Sequence, residues 1–208
     1  MSDATRLKKI ARIRRGLKPR VVDLFSGCGG ISLGFRSASF KIIAGLEIDK
    51  HAAETHALNF YSGDSQHRQA LHAKSRDITV LEPHDFLKEL YPKQDPVALV
   101  DVVVGGPPCQ AFARVGRAKL REIAQHPEAF RHDARGHLYM RYLHYVKALN
   151  PLAIMLENVP DIVNYGGTNV AEAIADALED LGYTAAYTFL NAAHYGVPQL
   201  RERLILVA

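Results

Sequence analysis

A chain of 208 residues, 48% apolar and 23% charged, has the make-up of one globular domain large enough for a sizeable core. No apolar run reaches membrane-spanning length, no apolar signal region opens the chain, and two cysteines, Cys28 and Cys109, make no disulfide framework; a reduced, cytosolic setting fits them better. The net charge of +4 is unevenly held, because residues 1–20 carry eight Lys or Arg against Asp3, +7 in all, and leave −3 for the rest.

That basic stretch is the first feature in chain order. It reads either as a solvated tail or helix face, or as an arm that contacts phosphates and makes binding salt-dependent. Val21–Phe25 then reads as a buried strand, followed by a glycine-rich turn and a short helix near Ile31–Ser37. Lys41–Leu46 predicts a second strand and Lys50–Phe60 a helix. The polar segment Ser62–Arg76 is loop-like, Ile78–Leu81 suits a short strand, and Pro83–Tyr91 a helix opened by proline. Val97–Val104 is a strand running into Gly105-Gly106-Pro107-Pro108-Cys109. Residues 111–134 are polar, basic and histidine-containing, without clean periodicity. Leu138–Leu149 has helical spacing and Ala153–Glu157 reads as a strand. Thr168–Leu181 is an amphipathic helix stopped by Gly182, and Tyr183–Leu190 with Arg203–Ala208 suits a final strand pair. Alternation of this kind predicts an α/β fold: a doubly wound, mostly parallel sheet of Rossmann-like type, ended by an antiparallel strand pair. Residues 1–20 form the arm and 21–208 the domain. The chain stops inside the apolar run Leu204–Ala208, which suggests a truncated domain or one half of a split protein.

Ligands of such sheets bind beyond the carboxyl ends of the strands, where Gly27, Glu47, Cys109 and Glu157 all fall. Asp23-Leu24-Phe25-Ser26-Gly27-Cys28-Gly29-Gly30 is a strand and a turn whose backbone N–H groups can approach a nucleotide-like ligand. A dinucleotide fingerprint would need glycine at 32, where Ser32 stands, so a nucleoside-type cofactor fits better. Glu47 closes the next strand, placed to hold both hydroxyls of a ribose. Asp77-Ile78 either faces an adenine amine or is a surface turn. Cys109 leaves a stiff Pro-Pro segment, which suits a nucleophile better than a core filler; its ordinary pKa of ~8.5 leaves few per cent thiolate at neutral pH. Glu157 at an apolar strand end is costly unless paired. It is either a loop cap or, protonated, a donor to a ring nitrogen. Arg201 and Arg203 alternate on one strand face, as a surface pair or as donors to a carbonyl or phosphate oxygen. The ten histidines show no metal-ligand spacing and read as solvated or structural.

Taken in order, these residues resemble the C5-cytosine methyltransferase family over about residues 21–208. Asp23–Gly30 resembles its first motif, Glu47-Ile48 its second, Asp77-Ile78 its third and Gly106-Pro107-Pro108-Cys109-Gln110-Ala111-Phe112 its catalytic fourth. Arg135-Gly136-His137-Leu138 is similar to the fifth, Glu157-Asn158-Val159 to the sixth and Gln199-Leu200-Arg201-Glu202-Arg203 to the eighth. Ala113 stands where the family usually has serine, Tyr139 where it has phenylalanine, and nothing matches its target-recognition segment or last two motifs. The resemblance implies a class I methyltransferase fold that binds S-adenosylmethionine through Asp23, Phe25, Ser26, Gly27, Gly29, Gly30, Glu47, Ile48, Asp77, Ile78, Pro107 and Leu138. It implies catalysis by Cys109, Glu157, Arg203 and Arg201 on a cytosine flipped out of duplex DNA, with no metal, in the bacterial cytoplasm near the nucleoid. Two other readings stay open: methylation of cytosine in transfer RNA by the same motifs, and an inert cofactor-domain fragment or subunit that needs a second polypeptide, or a missing C-terminal segment, for target recognition.

Overall fold

The computed structural model describes residues 3–108, 137–164 and 169–208. The chain divides into two compact units, Met1–Gly105 with Ala148–Ala153, and Gly106–Lys147 with Ile154–Ala208. The expected α/β class holds, with parallel strands in the first unit and antiparallel ones, including the expected final pair, in the second.

The first unit begins with a helix, α1 (Asp3–Arg14), so the expected arm is built into the unit rather than free of it. Its Lys9 is buried and donates to the Asn150 carbonyl at 3.0 Å, and Arg12 donates to the Lys18 carbonyl and pairs with Asp101. Burial lowers the Lys9 pKa to about 8. Asp101 is fully buried, and it also takes the Arg20 backbone N–H at 2.7 Å and Arg20 Nε at 3.3 Å. A buried carboxylate needs such partners, and here they fasten the N-terminal helix to the sheet.

Strand β1 (Arg20–Leu24) runs parallel to both of its neighbours, β2 (Lys41–Leu46) and β3 (Val102–Gly105). Val21, Val22, Leu24, Ala44, Val103 and Val104 are wholly buried, as continuous apolar runs in a parallel sheet should be. Between these strands come α2 (Gly30–Ser37), α3 (Lys50–Tyr61), α4 (Gln66–His72), α5 (Pro83–Leu90) and α6 (Pro96–Leu99).

Local side-chain chemistry overrides three sequence expectations. The segment 62–76 is not all loop: Ser65 caps α4 by accepting from the Arg68 N–H, and Asp64 pairs with Arg68 at 2.7 Å. Ile78–Leu81 is a turn, because Asp77 accepts from the Thr79 N–H and hydroxyl at 2.8 and 2.7 Å and its carbonyl takes the N–H groups of Val80 and Leu81. The expected strand at 97–104 begins only at Val102. Asp95 accepts from the N–H groups of Val97 and Ala98, and with Pro96 at the first position this starts a helical turn instead. Residues 111–134 lie outside the described residues.

In the second unit α7 (His137–Leu149) buries Tyr139, Tyr142 and Tyr145, and the Tyr142 hydroxyl donates to the Met155 carbonyl at 3.0 Å. That carbonyl belongs to β4 (Ala153–Asn158). Helix α8 (Val170–Asp180) is capped by Asn169 and buries Ala173, Ile174, Ala177 and Leu178. Strands β5 (Ala186–Asn191) and β6 (Glu202–Val207) follow, and β6 runs antiparallel to β4 on one side and β5 on the other.

Two measurements probe these buried groups. Arg12→Met removes one cation from buried Asp101 and is expected to lower stability by about 2–3 kcal/mol in urea unfolding, toward the low end for a broken buried pair because Arg20 remains. His72 is buried, stacks on Tyr61 with ring centroids 3.6 Å apart, and burial holds its pKa down to about 3. The unfolded chain therefore binds the proton first, and the contribution of His72 is present above pH ~6.5 and lost as pH falls toward the folded value. His72→Phe should gain on the parent chain in urea midpoint between pH 7.5 and 4.5; a pH-independent difference would remove His72 from the acid limb.

Candidate active site

Two clusters of functional side chains form, one in each unit. In the first, β1 delivers the chain into a turn that favours glycine at two points: Gly27 has φ 51° and Gly29 φ 101°, and a β-carbon on Gly29 would overlap Phe60. Phe25 just before it is also held at φ 61°, a conformation that bulky residues rarely adopt. Ser26 is buried, donates its N–H to the Leu46 carbonyl at 3.1 Å, and keeps a hydroxyl without a partner among the described residues.

Glu47 follows β2 and organises this turn. Its Oε2 accepts from the Gly27 N–H at 2.8 Å, and its Oε1 from the N–H groups of Ile48 and Asp49 at 2.9 Å each. A carboxylate has about four lone-pair sites, so acceptor capacity remains after these three bonds. Ile48 beside it is 65% exposed, an apolar wall suited to a planar ring. The Glu47 carbonyl accepts from the Arg76 N–H at 2.7 Å, which sets Asp77 in the next loop. The Ser26 hydroxyl, the spare acceptor sites of Glu47 and the bare side chain of Ile48 fit a nucleoside with a ribose diol.

Two expected contacts belong instead to the interior. Asp23 is fully buried and spent on Ser32, whose N–H and hydroxyl donate to its Oδ2 at 3.1 and 2.6 Å. Burial pushes its carboxyl up to about 7, against the pull of those hydrogen bonds. Ile78 is likewise a core side chain at 3% exposure. His56 takes the structural role that the sequence left open for the histidines: it is buried and stands 3.0 Å from the Ser32 hydroxyl, and burial lowers its pKa to about 4. With the hydroxyl proton turned to Asp23, the neutral ring donates from Nε2, and a chain His56–Ser32–Asp23 braces the turn from beneath. Gly45 makes room for the ring, since any β-carbon there would collide with it.

In the second unit the approach to position 109 is fixed from the side. Pro107 is buried, and its carbonyl accepts from the Asn158 side-chain amide at 2.8 Å; the other end of that amide takes the Val159 N–H. Asn158 itself is buried, and β4 alternates so that Ile154, Leu156 and Asn158 share the buried face while Glu157 turns the other way. Glu157 pairs in register with Ile205, which places it on the same face as Arg203. Arg203 Nε stands 3.0 Å from Glu157 Oε1, and Arg201 reaches the same oxygen at 3.8 Å. A β-carbon placed on Gly106 would stand only 2.9 Å from Glu157 Oε2. The room left by the absent side chain is thus taken by this carboxyl group. Leu138 is half-buried at the start of α7, and Cys109 lies outside the described residues.

Residues 19–208 match the model of the C-5 cytosine-specific DNA methylase family, and the chain belongs to that family. It is 43% identical over 190 residues to M.OihORF3336P of Oceanobacillus iheyensis, which bears a type II methyltransferase name; the match covers 91% of this chain and 39% of that protein. The type II methyltransferase M1.HphI of Haemophilus parahaemolyticus is 35% identical, over 89% of this chain and 44% of its own. The chain therefore spans about two-fifths of the length of these curated relatives. Among solved structures, the Dnmt2 methyltransferase of S. pombe superposes with a TM-score of 0.63 at 23% identity, over 91% of this chain and 50% of its own, a likeness of fold.

Gly106→Ala tests the close approach. Only the tip of a flexible side chain has to move, so the melting temperature should shift by less than about 3 °C. The Glu157 carboxyl, displaced from Arg203, should lose at least tenfold of any methyl-transfer rate, whereas an unchanged rate would show that the glycine is not needed for it.

Proposed function

On that family membership we propose that the chain carries the catalytic chemistry of C5-cytosine methylation in DNA, with S-adenosylmethionine as the methyl donor. The observation that supports it most is the Glu157–Arg203 pair set against Gly106, beside the proline carbonyl that Asn158 holds. The cofactor supplies an electrophilic methyl group. Glu47, Ile48, the Gly27 turn and the Ser26 hydroxyl hold its nucleoside end; Asp77, Pro107 and Leu138 are further contacts implied by the family motifs, and Asp23 acts through the turn it supports.

The side chains then divide the work at a cytosine ring. C5 is a poor nucleophile until electrons are pushed into the ring, and the Cys109 thiolate does this by adding to C6. Negative charge builds on the O2–N3 edge as the bond forms. Arg203 donates to O2, and a proton shared between Glu157 and N3 neutralises the rest, while the second carboxyl oxygen accepts from the 4-amino group. Arg201, 47% exposed along its side chain and 3.8 Å from the same carboxyl group, holds the pair in line. After methylation, loss of the C5 proton and β-elimination break the S–C6 bond and return the thiolate. The base must leave the duplex to reach these groups, at a cost of a few kcal/mol. Target recognition falls to sequence beyond these motifs, continuous with this chain or on a second polypeptide.

A duplex carrying 5-fluorocytosine tests this directly, because fluorine at C5 blocks the final elimination. The chain should form an adduct that maps by mass to the Cys109 peptide, and Cys109→Ala should form none while binding S-adenosylmethionine with unchanged affinity in calorimetry. An adduct on any other residue would remove Cys109 from the mechanism. The same trap built into transfer RNA separates the two nucleic-acid substrates.

A further inference from the structure

The first unit contains a second basic site that the methylation chemistry does not use. At the amino ends of β1 and β2, the segments that carry Lys18 and Lys41 are joined by a hydrogen bond from the Lys41 N–H to the Pro19 carbonyl at 2.8 Å. With Arg36 from α2 and Arg68 from α4 they line a cavity of about 480 Å³. Asp64 is the one acid among its lining residues, so the cavity carries a formal +3. Glu47 and the Gly27 turn, by contrast, follow the carboxyl ends of the same strands.

The cations are presented in two ways. The arginines are pre-oriented: Arg36 lies 4.5 Å over the Phe60 ring and donates to the Asn59 carbonyl at 2.7 Å, while Arg68 lies 5.0 Å over Tyr91, donates to its hydroxyl at 3.0 Å and pairs with Asp64. Planar guanidinium groups fixed in this way lose little freedom on meeting an oxyanion. Lys18 and Lys41 are exposed and have no ion-pair partner among the described residues. The floor holds a polar orphan as well. Tyr61 is 95% buried, with 5% of its surface exposed, and its hydroxyl has no hydrogen-bond partner among the described residues. Four cations, one acid and an unused buried hydroxyl make a poor surface for a neutral ligand and a good one for an anion with several oxygens.

We propose that this cavity is a phosphate-binding site, separate from the cofactor turn and from the Glu157 cluster, which takes either a free phosphate ester or a backbone phosphate of nucleic acid. Bidentate geometry favours phosphate over a carboxylate, because three or four oxygens can face two guanidinium groups and two ammonium groups at once. The site gives the basic N-terminal stretch a definite role through Lys18, whereas Lys9 and Arg12 are occupied inside the unit.

The test compares the parent chain with the double variant Lys18→Ala and Lys41→Ala, both exposed positions whose loss leaves the core untouched. Pyrophosphate is titrated by calorimetry at low salt, and duplex DNA binding is followed against salt concentration. Pyrophosphate binding that weakens at least tenfold in the variant identifies a free phosphate ester as the ligand. No pyrophosphate binding, but a salt slope for duplex DNA shallower by about one in the variant, identifies a backbone phosphate, since each phosphate left without its lysines flattens the slope by roughly one. Equal behaviour of variant and parent in both titrations overturns the proposal. None of these outcomes bears on Cys109, so the site and the methylation chemistry stand or fall separately.

Discussion

Carboxylates placed on and beside strands are the constraint around which this molecule is organised. A charge taken from water must be met by donors, and each acid here recruits a different set. Asp101 at the foot of β3 takes Arg12 and Arg20 and so holds the N-terminal helix. Asp23 inside β1 takes the backbone and hydroxyl of Ser32 and so seats the first turn of α2. Glu47 past the end of β2 takes three backbone N–H groups and so shapes the glycine turn. Glu157 near the end of β4 takes Arg203. The first two are fully buried and serve the fold; the other two keep some exposure, and they are the ones in the proposed site.

That gradation explains why the site was legible where it was. Glu47 and Glu157 stand out in the sequence because each ends an apolar run, and a charge in that position demands an explanation. Arg201 and Arg203 follow from strand alternation, and the glycines from the positive φ at Gly27 and the close approaches at Gly29 and Gly106. Asp23 entered the expected contacts through the family motif alone, and it lies inside the strand rather than beyond it. Its partner is a serine nine residues on, which no periodicity connects to it.

The misplaced elements share a cause. Asp77, Asp95 and Ser65 each cap a short turn or helix with their own side chains, and apolar neighbours such as Ile78 or Val97 gave the stronger signal in a linear reading. Short polar residues compete locally with strand formation through hydrogen bonds that a hydropathy pattern does not register. The partners of His56 and His72 were hidden in a similar way. Each is a buried histidine on a helix, recognisable only when Gly45 and Tyr61 are seen to pack on it. The basic stretch divided in two for a related reason, since composition counts charge without saying which cations have partners.

The order of strands in the second unit has a consequence for biosynthesis. β6, made after both β4 and β5, lies between them and supplies the hydrogen-bonding edge for both. On the ribosome β5 emerges before that edge exists, and Arg203 reaches Glu157 only in the same later step. The Glu157–Arg203 pair therefore forms only once β6 has been made, so a chain stopped before Arg203 carries the acid without its cation.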